Sequence, residues 1–179
     1  MPQRLVAAGL DKLSLWAAQV AAWLLAALLL LTVFLVLSRR LTGYAPIALD
    51  ELRWHCFGAA FLLGMAWTLR RDGHVRVDVV AARLPQRWRA RIEAASLLAI
   101  ALPACLLIAS YGGWMAWGSL AEWESSPEPG GLPLRGIIKG CIPLGFCLLA
   151  LQALAGGLRS LQAPAAGPTD PPPVKEPAV

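Results

Sequence analysis

Charge is missing from four long stretches of this chain. No Asp, Glu, Lys or Arg occurs over the 26 residues Leu13–Ser38, the 16 of Trp54–Leu69, the 28 of Ala94–Ala121 or the 19 of Gly140–Leu158. A bilayer core about 30 Å thick is crossed by a helix of about 20 apolar residues. Three of the runs meet that length directly. The second meets it only with its flanks, where Leu49 and Leu52 add apolar surface and Arg53 and Arg70 reach outward along their aliphatic stems. A chain that is 58% hydrophobic, against about 45–50% in an average soluble domain, has too little polar surface to be a soluble domain.

Histidine is scarce too. His55 and His74 are the only two, and at about 1.5 Å per helical residue they lie about 28 Å apart, at opposite membrane faces. Haem held between two helices needs ligands at one depth, so no cofactor and no metal is expected. Cys56, Cys105, Cys141 and Cys147 all fall in apolar runs with no C-x-x-C spacing, where cysteine behaves as a small hydrophobe. The uncharged runs hold no intramembrane acid or base apart from His55 at an edge, which argues against a coupled transport cycle run by this chain alone. Glu122 and Glu124 stand two apart and do not share a helix face, and no nucleophile accompanies them, so no catalytic residue is assigned. The first apolar block is too long for a signal h-region of about 7–15 residues.

What is present is an all-α membrane pattern. Four transmembrane helices are expected at about 14–37, 50–70, 92–119 and 136–159, forming one membrane domain over 13–161. A polar lead covers 1–12, and a disordered proline-rich tail covers 162–179. With four spans, eleven Lys and Arg share a side with the termini and the middle loop, against five on the other. The positive-inside rule then places both termini in the cytoplasm. Arg39-Arg40, at the outer end of the first span, breaks that rule locally. The net charge of +5 therefore serves orientation, and no nucleic-acid partner is implied. Trp16, Trp54, Trp67, Trp114, Trp117 and Trp123 lie near span ends, where amphipathic rings prefer the interface. Trp23 lies deeper and is expected to pack against a neighbour.

Local signals divide the chain further. Thr42-Gly43-Tyr44-Ala45-Pro46 ends the first helix, and Pro46 permits a restart that puts Asp50 and Glu51 near a helix N-terminus. Asp72-Gly73-His74 turns the chain, and Asp78 is the nearest plausible hydrogen-bond partner for His74. Val80, Leu84, Trp88 and Ile92 recur every four residues among arginines. That segment reads equally as a basic helix on the membrane surface and as a solvated lead into span three. Pro103 is expected to kink span three, and Gly112-Gly113 to weaken it. Ala60/Gly64, Gly136/Gly140, Cys141/Gly145 and Ala153/Gly157 are small-residue pairs four apart, which let helix backbones approach.

From Leu13 to Leu161 the chain resembles the small membrane subunit of TRAP transporters, the tripartite ATP-independent periplasmic systems. The residues that carry the likeness are Asp50-Glu51-Leu52-Arg53-Trp54, Leu63-Gly64, the stretch Arg71-Asp72-Gly73-His74-Val75-Arg76-Val77-Asp78, and Leu84-Pro85. Glu122-Trp123-Glu124-Ser125-Ser126-Pro127, Gly130-Gly131-Leu132-Pro133, Ile138-Lys139 and Ile142-Pro143-Leu144-Gly145 complete it. The resemblance implies a non-enzymatic scaffold in a bacterial inner membrane. Its expected partners are a large TRAP membrane subunit, a periplasmic substrate-binding protein and membrane lipid, and its expected role is ion-gradient-driven symport of an organic acid that the partners hold. Glu51, Arg53, Glu122 and Glu124 are expected to organise the outer rim or meet the binding protein. Arg135 and Lys139, four apart on one face, are the expected ion partners of that acidic loop. A stand-alone small channel or exporter, or the membrane anchor of a redox enzyme, stays open as an alternative.

Overall fold

The computed structural model describes residues 2–71 and 84–162. Every regular element among them is helical. Helix α1 runs Pro2–Thr42, α2 Ile47–Arg70 and α3 Gln86–Ala95. A π-helical turn, Ser96–Ala101, joins α3 to α4, Leu102–Ala121, and α5 covers Gly136–Gln162. The expected lead at 1–12 is thus helical from Pro2, since nothing after that proline breaks the pattern. His74, Asp78 and the expected tail from 163 onward lie outside the described residues.

Three helical stretches, not four, are long and apolar enough to cross a membrane: Gly9–Thr42, Gln86–Ala121 and Gly136–Gln162. The shortfall is in α2. Its 24 residues are long enough, but Asp50, Glu51, Arg53 and His55 crowd its first turns and dilute a short apolar run.

The breaks follow local chemistry. Gly43 takes the left-handed conformation (φ +73°) that a helix C-terminus favours, and its N–H donates to the Arg39 carbonyl at 3.1 Å. Pro46 then precedes the first residue of α2. Pro103 lacks an N–H and crowds the carbonyl four residues back; the chain widens into the π turn just before it and continues. Gly112-Gly113 does not weaken α4. It lets α5 approach, because a Cβ on Gly112 would come within 2.7 Å of Ile142.

Successive long helices reverse direction along the chain and stand in a row, in the order α1, α2, α5, α4, so that the neighbours α2 and α5 run parallel, both starting beside the 126–132 loop and both ending beside Asp11. Among the described residues no closed bundle forms, so there is little interior. The buried apolar residues are alanines such as Ala21, Ala60, Ala109 and Ala153, with Leu35, Cys56 and Cys105. Large apolar side chains face outward on every long helix. Trp23, expected to pack, is 78% exposed, because α1 is an end helix of the row and has neighbours only on one side.

Close approach takes the place of a large-residue core. A Cβ on Gly136 would stand 2.6 Å from Leu120, and one on Gly157 would stand 2.5 Å from Leu98, so small residues zip α5 to α4 and the π turn along their length. A Cβ on Gly145 would meet the Leu62 carbonyl oxygen of α2 at 2.7 Å. Gly140, in the same helix, faces open space. Of the paired small residues in α5, Gly136, Gly145, Ala153 and Gly157 are therefore contacts, and Gly140 is not.

Candidate functional site: polar ties at the two ends of the helix row

Polar side chains gather at the ends of the helices. At one end, the chain from Glu122 to Arg135 folds back over the start of α2. The end of α4 is closed by two backbone bonds, Trp123 N–H to the Leu120 carbonyl at 3.2 Å and Glu124 N–H to the Ser119 carbonyl at 3.0 Å. This closure needs a left-handed residue, usually glycine. Trp123 fills that position (φ +50°) with its ring exposed.

Two carboxylates organise the loop. Glu124 accepts from the Ser119 hydroxyl at 2.5 Å and from the Lys139 ammonium, and the Arg135 guanidinium lies 4.0 Å away. Arg135 N–H also donates to the Glu124 carbonyl at 2.9 Å. These contacts fix the return of the chain into α5. Glu51, in the first turns of α2, accepts from the Ser126 hydroxyl and from the Leu132 N–H at 2.7 Å. Ser126 N–H in turn donates to the Leu132 carbonyl at 3.0 Å. A helix start thus anchors a loop some eighty residues further along the chain. Gly131 is required there, since a Cβ would fall 2.5 Å from Ser126.

The other expected rim residues separate from this pair. Arg53 bonds Asp50 at 2.7 Å, one turn earlier in α2, and stacks over Trp54 at 5.7 Å. Glu122 is exposed. The structure therefore brings Glu51 and Glu124, with Arg135 and Lys139, into one loop assembly and leaves Arg53 and Glu122 outside it.

Lys139, then the Ser119 hydroxyl, hold the Glu124 carboxyl below the ordinary 4.5 of a glutamate, against a smaller opposing effect of burial. A carboxyl depressed in the folded state contributes stability above its unfolded pKa and loses it as pH falls through the folded one. The loop is expected to stay closed at neutral pH and to loosen only below about pH 4.5. Amide exchange at 124–132, corrected for intrinsic rate, measures this. Glu124→Gln should show the loosened exchange already at pH 7, and a wild-type loop that opens between pH 6 and 8 would contradict the assignment.

At the opposite end lies a network that sequence reasoning missed. Asp11 of α1 receives Arg70 of α2 in a two-pronged contact, Nε at 2.6 Å and a terminal nitrogen at 2.9 Å, and Arg159 of α5 at 3.6 Å. Gln152 of α5, 1% exposed, donates to the Ser14 hydroxyl at 2.7 Å and to the Leu10 carbonyl at 3.2 Å. Arg159 also stands 3.5 Å from the Gln152 side-chain oxygen. Three helices meet through one acid, one amide and two guanidiniums. A buried glutamine in an otherwise apolar run was the available signal, because a polar group in hydrocarbon needs a partner.

The arrangement positions helices, and its class is that of a helical membrane subunit. The chain belongs to the family described as tripartite ATP-independent periplasmic transporters, DctQ component, which matches residues 28–163. It is the small membrane component of a TRAP transporter and not an enzyme. Members of this family work with a large membrane component and a periplasmic binding protein. No match is found among curated proteins.

Proposed function

We propose that this chain braces the large membrane component of a TRAP transporter during ion-gradient-driven uptake of an organic acid, in a bacterial inner membrane. The family match over 28–163 carries the reading. The row of helices supports it. A row of helices offers two long flanks, which widen a partner's static part further than a compact bundle of the same helices would. Substrate and coupling ion are taken up by the partners.

In this reading α2 is a fourth crossing, and both termini are cytoplasmic. Its 24 residues span about 36 Å. Its Glu51 end is tied to the loop between α4 and α5, and its Arg70 end to Asp11. Those are the two ends of the row, so α2 runs its full depth. Packed between α1 and α5, it needs less apolar surface than a helix facing lipid all round.

Reconstitution tests the proposal. Liposomes holding this chain alone are expected to show no gradient-driven uptake, and uptake is expected only after the large component and the binding protein are added. Concentrative uptake by this chain alone would overturn it. Charge reversal at Glu51, Arg53, Glu122 or Glu124 is expected to lower uptake by the complete system with membrane insertion intact. The largest loss is expected at Glu51 and Glu124, which hold the loop. Unchanged uptake in all four variants would remove the rim from the mechanism.

A further inference from the structure

A groove of about 370 Å³ opens between α1 and α2. Leu25, Leu28 and Leu29 form one wall, and Trp54 and Phe57 the other, with Arg53 among the lining residues. Thr32 also lines it, but its hydroxyl is already bonded to the Leu28 carbonyl at 2.7 Å. The groove therefore presents apolar surface and one guanidinium. Arg53 spends one donor on Asp50, and a guanidinium carries five.

The surrounding charges point the same way. Arg39 and Arg40 lie at the end of α1, and four residues separate that helix from α2. Both side chains are exposed, and neither forms an ion pair with a described residue. Glu51 turns its carboxylate to Ser126 and Leu132 in the loop. Arg53, with Asp50 bonded to it, thus lines the slot, and Arg39 and Arg40 stand in the last turn of the helix that forms its other wall. The latter two are the arginines that break the positive-inside rule.

We propose that this groove holds an acyl chain of an anionic phospholipid, with its phosphate at Arg53 and within reach of Arg39 and Arg40. A volume of this size takes about one acyl chain and excludes a folded helix. Charge at the head and hydrocarbon along the slot are the two parts of a phospholipid. The lipid would fill the cleft between α1 and α2, which alanine-based packing leaves open.

The inference requires only that the chain is membrane-embedded, so its failure would leave the transporter reading untouched. The experiment is native mass spectrometry of the full chain, delipidated in mild detergent and titrated with phosphatidylglycerol or phosphatidylcholine. Wild type is expected to retain one phosphatidylglycerol in preference to phosphatidylcholine. Loss of one arginine near a lipid phosphate weakens binding roughly fivefold, so Arg53→Gln should lower retention by about that factor and Arg39→Gln with Arg40→Gln should lower it again. Leu28→Trp, which fills the slot, should abolish retention of both lipids. Equal retention of the two lipids by wild type, or retention unchanged in Arg53→Gln, would overturn the proposal. A photoreactive residue at position 29, activated in membranes that also hold the large component, should label phospholipid. Labelling of the large component there would assign the groove to a protein partner instead and equally overturn it.

Discussion

Gly145→Leu is expected to lower the thermal midpoint of the detergent-solubilised chain by roughly 6–12 °C, while Gly140→Leu leaves it unchanged or slightly higher. The two glycines share a helix and lie five residues apart, so helix propensity affects both alike. Their surroundings differ. A Cβ at position 145 would sit 2.7 Å from the carbonyl oxygen of Leu62 and 3.0 Å from its carbonyl carbon. Those are backbone atoms, which cannot rotate away as a side-chain tip can. A leucine must therefore push α2 and α5 apart. Overpacking costs about 1–3 kcal/mol and more where backbone resists. About 3 kcal/mol corresponds to the stated shift for a chain of this length. At position 140 nothing lies within 4 Å, and leucine is the better helix former by roughly 1 kcal/mol. Fluorescence-detected size-exclusion melts measure both. Equal losses would mean that glycine acts through the helix itself and that the close approach of α2 and α5 does not hold the row together.

That contrast also marks how far the sequence could be read. The pairs Gly136/Gly140, Cys141/Gly145 and Ala153/Gly157 marked where backbones in α5 could be approached, but not which members meet a neighbour. Contact depends on the rotation of α5 about its axis, and partners in three dimensions set that. The helices themselves were legible because uncharged runs and Gly/Pro breaks are local signals. Gly43 and Pro46 end and restart the chain as their backbone preferences require. Pro103 disturbed the helix as its missing N–H demands, though by widening into a π turn. The row arrangement was not legible. Outward leucines and inward leucines look the same in a membrane sequence, because lipid and protein interior are equally apolar. Trp23 was misplaced for this reason. In the outer loop, the acids and bases could be named from the sequence. The pairing of Glu51 with Ser126 and Leu132 could not, since it joins positions far apart in the chain.

Asp11→Asn is expected to destabilise the chain more than Arg70→Gln, although each removes one side of the same ion pair. Asp11 faces two cations, Arg70 at 2.6 Å and Arg159 at 3.6 Å. Removing Arg70 leaves the carboxylate with Arg159, so the remaining charges still attract. Removing the carboxylate leaves two guanidiniums facing each other across an amide. The side chains of Asp11 and Arg70 are 22% and 30% exposed, between the open surface, where a pair contributes about 0–1 kcal/mol, and full burial, where loss of one partner costs about 3–5. About 2 kcal/mol for Asp11→Asn and about 1 for Arg70→Gln fit that middle position. Arg70 also stacks over Trp67 at 5.3 Å, a contact that Arg70→Lys weakens while keeping the charge. A double-mutant cycle on Asp11 and Arg70, read from thermal or denaturant midpoints, isolates the pair from that stacking. The double variant should recover part of the loss, because the unpaired Arg70 is then absent and Arg159 can turn to Gln152, whose oxygen lies 3.5 Å away. Strictly additive losses would show that the three helices are joined by packing alone. Gln152→Leu separates the remaining part of the network. It breaks the bonds to Ser14 and Leu10 and the contact from Arg159, and hydrogen bonds between membrane helices average about 0.6 kcal/mol each, so its effect should lie near that of Arg70→Gln and below that of Asp11→Asn.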